Sequence, residues 1–229
     1  MSLSGTGVIA IWHNLQDTVR AEFYEWHNRE HMPERLAVPG FRRGRRYRAL
    51  EGGPDYFNLY ETADVGVLSS PAYLARLNAP TDWTRRVVPG FRDVARSLCR
   101  VRASLSVGLG GVMLTQRFAV ADTERERVAA RLADDVLPAL AARPGITGAH
   151  LCLAEEALSS VATVESVARG TPTLVPTWIV LIEGIDAAHV RPAGAGITAG
   201  LSGATLTVGL DTALYQLENV CVPADAPGP

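Results

Sequence analysis

Pro33-Glu34-Arg35-Leu36-Ala37-Val38-Pro39-Gly40-Phe41 and Pro138-Ala139-Leu140-Ala141-Ala142-Arg143-Pro144-Gly145-Ile146 decide the fold, because they are one punctuation written twice, 105 residues apart. In each, a Pro-Gly pair closes an amphipathic helix and hands the chain to a strand. Working outward at the same shift, Asp17-Thr18 falls on Asp122-Thr123, and residues 7–13 fall on 112–118, two apolar runs of strand length. Downstream, after 17 extra residues in the second stretch, residues 54–64 fall on 176–186 at a shift of 122. Four matches in the same order point to an internal repeat.

Each copy carries the same succession of periodicities. A strand at 7–15 precedes a helix opened by Asp17-Thr18 and closed by Pro39-Gly40; strands at 41–50 and 55–63 flank Gly52-Gly53-Pro54. A second helical region is expected from Ser69 to about Ala95, broken near Pro80 and Pro89, and a last strand at 97–107. The second copy repeats this at 111–120, 123–142, 146–154, 177–185, 186–200 and 204–221. The order is βαββαβ, the split βαβ unit, whose bare sheet face needs a cover. The sequence therefore predicts an α+β protein: two tandem ferredoxin-like units, 1–110 and 111–229, packed sheet to sheet as an intramolecular α+β barrel. Gly108-Leu109-Gly110-Gly111 is the junction. A barrel completed within one chain predicts a monomer or a loose homodimer.

The 229 residues are 47% hydrophobic and carry a net charge of −2, which disfavours a disordered chain and a nucleic-acid partner. All 22 basic residues are arginine, so Schiff-base and lysine-nucleophile chemistry is excluded. Cys99, Cys152 and Cys221 are too scattered for a disulfide framework or a zinc ribbon and are expected as free thiols in a reducing, cytoplasmic setting. The polar start and the lack of a long apolar run predict neither an export signal nor a membrane span.

The copies differ in chemistry. Residues 1–110 hold 12 of the 15 aromatics and 15 arginines against 11 acids; residues 111–229 hold 7 arginines against 13 acids. At the shift of 105, His13, His27 and His31 fall on Phe118, Leu132 and Val136, so all three histidines occupy positions that are apolar in the other copy. His27 and His31 share a helix face with Phe23 and are expected to point inward. On the third strand, Phe57 and Leu59 match Ile179 and Leu181 and are expected to be the helix-packed core. The opposite face, Tyr56, Asn58 and Tyr60, is polar-aromatic in the first copy alone and is the expected pocket lining. Trp83 is an expected mobile wall.

Two motifs compete with blander readings. His27-Asn28-Arg29-Glu30-His31 matches H-x-x-E-H, but no third ligand is evident, so no metal is assigned. Five arginines lie between Phe41 and Arg48; Arg46 falls over apolar positions of the second copy and is expected to be partly buried against Glu61, Glu30 or a ligand anion.

The stretch from Glu25 to Arg35, followed by Val38-Pro39-Gly40-Phe41 and the strand from Tyr56 to Glu61, resembles the dimeric α+β barrel superfamily, particularly its EthD-like members. Those show an aromatic-x4-His-x-Pro pattern, here Trp26, His31 and Pro33. The resemblance covers about residues 7–107 and implies a small-molecule site. Muconolactone isomerases, cofactor-free quinone-forming monooxygenases, polyketide cyclases and haem enzymes share the superfamily, so it implies architecture more than reaction. The expected function is cofactor-independent proton transfer, isomerisation or cyclisation on a small aromatic or polyketide-like acid. His31 is the candidate acid or base, His27 or His13 its orienting partner, Arg46 the anion anchor and Tyr60 a donor to a developing enolate. The alternatives are a non-catalytic binding protein with the same pocket and a haem or monooxygenase-type activity.

Overall fold

The computed structural model describes residues 3–224. Strand β1 (Gly7–Leu15) leads to α1 (Arg20–Trp26), which runs through a π-helical turn at His27–His31 into α2 (Met32–Leu36). Then come β2 (Phe41–Glu51), β3 (Tyr56–Thr62), α3 (Pro71–Asn78), α4 (Asp82–Val87) and β4 (Phe91–Ser106). The later half has β5 (Val112–Val120), α5 (Arg125–Arg131), a π-helical turn at Leu132–Val136, and α6 (Leu137–Ala141). It continues with β6 (Ile146–Ala154), α7 (Glu156–Ser159), α8 (Val164–Ala168), β7 (Trp178–Gly184), α9 (Ala187–Val190), α10 (Ala193–Gly200) and β8 (Leu206–Cys221).

The eight strands close into one antiparallel barrel in the order β1-β3-β2-β8-β5-β7-β6-β4. The early strands join the late ones along β2·β8 and β4·β6, so the barrel keeps no open strand edge to pair with another chain. Corresponding local devices recur. Gly40 and Gly145 both adopt positive φ (93° and 77°), as the Pro-Gly turns require. A Cβ on Gly40 would meet Val67 at 2.5 Å and one on Gly145 would meet His189 at 2.4 Å, so neither turn tolerates a side chain.

Strand parity corrects one sequence expectation. Phe57 and Leu59, with Ile179 and Leu181, do not pack on helices; they fill the barrel interior with Val8, Ala10, Trp12, Met113 and Tyr215. The helices cover the other face, where Trp178, Val180 and Ile182 pack with Val128, Leu132 and Leu137. A closed barrel is as dry inside as the layer beneath its helices, so period-two apolarity marks both faces alike. The last strand of the early half also begins at Phe91, not near 97, because β1 is paired along its length as far as Leu15↔Phe91.

Charge is buried inside the barrel as well. Arg45 is fully enclosed, with Nε 2.9 Å from Glu61 and Nη1 2.8 Å from Glu183, and His150 Nε2 lies 3.4 Å from Glu183. Burial alone would raise the Glu183 carboxyl, but the Arg45 charge and the His150 hydrogen bond hold it down at about 2. Sequence reading singled out Arg46 and missed Arg45. The available signal was Glu61 falling on Glu183, a carboxylate at matching positions of two strands.

Candidate functional site

The first helix lies across the outer face of β1 and β3, so that face decides what the helix meets. Cross-strand pairs His13↔Tyr56, Ile11↔Asn58 and Ile9↔Tyr60 put one polar-aromatic layer under it. The corresponding layer of the late half is Phe118↔Trp178, Gln116↔Val180 and Leu114↔Ile182. From the helix, Phe23, His27 and His31 descend in one row, with ring centroids 5.0 Å apart for Phe23 and His27 and 5.6 Å for the two histidines. Both first helices have a π-helical turn, and one of them carries only apolar and acidic residues, so the turn belongs to the fold and is not itself a mark of chemistry.

All three histidines are buried and neutral. Burial lowers His13 to about 3; burial, reinforced by neighbouring His31 and Arg46, holds His27 well below its usual value; and burial with Arg35 and Arg169 does the same for His31. Hydrogen bonds fix the protons of His27 and His13. Arg46 Nη1 donates to His27 Nδ1 at 3.2 Å, so His27 carries its proton on Nε2 and donates it to the Tyr60 hydroxyl at 3.3 Å. Tyr60 therefore has its own O–H free to donate elsewhere, and burial keeps that hydroxyl protonated by pushing its pKa upward. Asn58 Nδ2 donates to His13 Nε2 at 3.0 Å, leaving His13 to donate from Nδ1 to the Asn14 carbonyl at 3.3 Å. His13 is otherwise clamped between aromatic rings, stacked on Tyr56 at 5.1 Å and against Phe91 at 4.4 Å.

A cavity of about 40 Å³ opens at the inner end of this row. Ile11, Trp26, Val88, Phe91 and Val94 form its apolar wall; His27, His31, Asn58 and Tyr60 reach it from the helix and β3. Glu165 and Arg169 line its remaining side. Three lining residues each carry a buried polar atom without a partner: His31 Nδ1, Asn58 Oδ1 and Arg169 Nε. Buried polar groups are nearly always paired, so three orphans around one cavity describe a place prepared for polar atoms from outside the chain.

Of the residues expected from sequence, His27, His31, Asn58 and Tyr60 meet at this cavity. His13 and Tyr56 stand behind Asn58 as support. Trp83 does not reach it; on α4 it is half-buried against the cluster of Trp26, Val87 and Val88. Arg46 is buried, but its carboxylate is Glu218 at 3.0 Å, not Glu61 or Glu30, and its Nη1 is shared by Asn28 and His27. Glu61 instead serves Arg43 and Arg45, and Glu30 hydrogen-bonds Thr81 and Thr84. Glu165 and Arg169 were missed by sequence reading because they come from the extra residues 155–172, which have no counterpart in the early half. That insertion folds back from the late half onto the early site and covers it. Among the described residues, no three His, Cys, Asp or Glu side chains converge to hold a metal. Among the described residues, no helix is long and apolar enough to cross a membrane.

No protein-family model and no curated protein sequence matches the chain. Solved structures do match its fold. An anthrone oxidase-like protein superposes with a TM-score of 0.64 at 9% identity, covering 98% of this chain and 97% of that one. A protein of Fusobacterium nucleatum provisionally assigned as a monooxygenase gives 0.61 at 9% identity over 96% of both chains. Another of that provisional assignment, from Lactobacillus acidophilus, gives 0.58 at 11% identity over 95% and 96%. The class is thereby defined: a mixed α+β protein built on one closed, eight-stranded antiparallel barrel, a fold it shares with these structures. At these identities the likeness is one of fold.

Proposed function

We propose that the chain is a small-molecule enzyme that moves a proton at an acidic carbon of an aromatic or polyketide-like acid. We also infer that it is a tandem of two ferredoxin-like units, 1–110 and 111–229, of which the first alone holds a site. One observation carries the catalytic reading: neutral His31, with Nδ1 unpartnered, faces a small cavity with one apolar wall, beside Asn58 Oδ1 and Arg169 Nε, also unpartnered.

A neutral imidazole in an apolar wall is a base without a competing water shell. His31 takes the proton from the substrate carbon, and the electron pair moves onto the conjugated oxygen. Tyr60, whose lone pair is engaged by His27, turns its O–H to that oxygen as charge develops. Arg46 acts at one remove, by holding His27 in the tautomer that makes this possible. Return of the proton from His31 to a different carbon completes an isomerisation with no net oxidation.

A second reading draws support from the oxygenase-type proteins that share the fold. There the same carbanion meets dioxygen: the CH2 of a fused phenol becomes C=O, one oxygen atom enters the product and the other leaves as water. A tetrapyrrole does not fit the cavity of about 40 Å³.

The test is turnover of anthrone and of unsaturated aromatic lactones, in air and under nitrogen, with His31→Asn as control. General-base loss lowers kcat by roughly 10²- to 10⁴-fold. Consumption of one dioxygen per product in air selects the oxygenase branch; equal rates without oxygen select isomerisation. Ligand binding without turnover, indifferent to His31, favours a carrier and refutes the enzyme reading.

A further inference from the structure

The charges around the cavity do not balance. Arg35 is buried and paired with Glu165, and its Nη1 lies 3.6 Å from Glu34. Glu34 is also held by Arg76. Arg169 has only the far oxygen of Glu165, at 3.9 Å, and its side chain is 10% exposed. Three arginines thus share two glutamates. Arg96, the next cation out, meets the Tyr73 hydroxyl at 2.9 Å, and among the described residues no carboxylate pairs with it. Arg76 is 43% exposed to solvent and Arg35 faces two carboxylates, so the uncompensated charge falls on Arg169. A buried charge without a partner costs several kcal/mol and persists only where something compensates it.

We propose that Arg169 is the anchor for a monoanionic ligand, an aromatic carboxylate whose ring lies against Trp26 and Phe91. The inference rests on the proposed pocket but not on His31 being a base. It moves the anchor from Arg46, whose Nε and Nη1 are held by Glu218, Asn28 and His27, to a residue of the insertion. It also makes the insertion a cover that assembles with its ligand. A cavity of about 40 Å³ holds about one water molecule. Any aromatic acid therefore needs α8 to swing aside, and α8 is tied down by few polar contacts, chiefly Glu165 on Arg35 and the Val164 amide on Asn78 Oδ1 at 3.1 Å. Closure over an anion neutralises Arg169, whereas closure over a neutral ligand of the same shape leaves it uncompensated. Selectivity for charge follows from the energetics of closing.

The experiment compares binding of salicylate with that of neutral 2-hydroxybenzyl alcohol by titration calorimetry on the full chain. The wild type binds salicylate at least tenfold more tightly. Arg169→Gln removes that preference and Arg169→Lys keeps part of it; thermal melts verify that each variant is folded. Equal binding of the two probes by the wild type, or an undiminished preference in folded Arg169→Gln, overturns the proposal. The two readings fail separately. A preference that depends on Arg169 without any turnover upholds the anchor and sinks the base; turnover that depends on His31 with KM unchanged in Arg169→Gln does the reverse.

Discussion

Acidification tests whether the three histidines are held neutral beneath the first helix. In the folded protein their pKa values lie below the ordinary 6.5, that of His13 at about 3, while the unfolded chain takes up protons normally. Between 6.5 and the folded values the unfolded state binds more protons, so stability falls as pH falls through that window. Each buried histidine that stays neutral costs about 1.4 kcal/mol per pH unit below 6.5, and three together cost about 4 kcal/mol on going from pH 7.5 to 5.5. That is a large share of an ordinary domain's stability of about 5–15 kcal/mol and lowers Tm by roughly 10 °C or more. The carboxylates held low in the fold, Glu183 among them, begin to matter only nearer pH 4.5, below this window. The control is His13→Phe, His27→Leu and His31→Val combined, which installs the residues of the matching positions, Phe118, Leu132 and Val136. Urea unfolding of both proteins at the two pH values gives the assay, and the difference within each protein is the readout, since repacking also shifts absolute stability. A wild type equally stable at both pH values, or a triple variant that keeps the full loss, refutes the neutral-histidine layer.

Other consequences are simpler to state. Arg45→Met leaves Glu183 buried with only His150 beside it, while Glu61 keeps Arg43, and lowers stability by about 3–5 kcal/mol in urea unfolding. Gly145→Ala meets both a positive φ and the His189 ring, and costs more than Gly203→Ala, where φ is also positive but the space is open; the excess, measured by thermal melts, is roughly 1–3 kcal/mol. Because β2·β8 and β4·β6 close the barrel within one chain, light scattering gives the monomer mass at micromolar concentration; a tight obligate dimer contradicts this. Arg46→Gln frees His27 Nδ1 and lets its proton shift tautomer, lowering kcat on any substrate of the site while leaving the salicylate preference unchanged; loss of that preference returns the anchor role to Arg46.

Much of the architecture was legible because it rests on local rules. Pro39-Gly40 and Pro144-Gly145 stop helices wherever they occur, since only glycine relaxes into the positive φ that the turn demands. The strand and helix periods around them follow from which residues must face a dry layer. The inward row of His27 and His31 was legible for the same reason: four residues on a helix return to one face, and the matching positions are apolar. Strand parity was not. Phe57 and Leu59 alternate with Tyr56, Asn58 and Tyr60 in any sheet, but whether a face looks into a barrel or onto a helix depends on closure with strands more than 100 residues away.

By itself, then, the sequence determined the order of elements, the turns, and the concentration of histidine and aromatic residues in the first half. These are short-range matters of backbone conformation and side-chain period. The tertiary structure alone decided which charges meet. Arg46 went to Glu218 from β8, Arg45 to Glu183 from β7, and the cavity received Glu165 and Arg169 from an insertion belonging to the other half. Desolvated charges choose partners by distance in space, and the chain brings those distances below 4 Å only when the barrel closes.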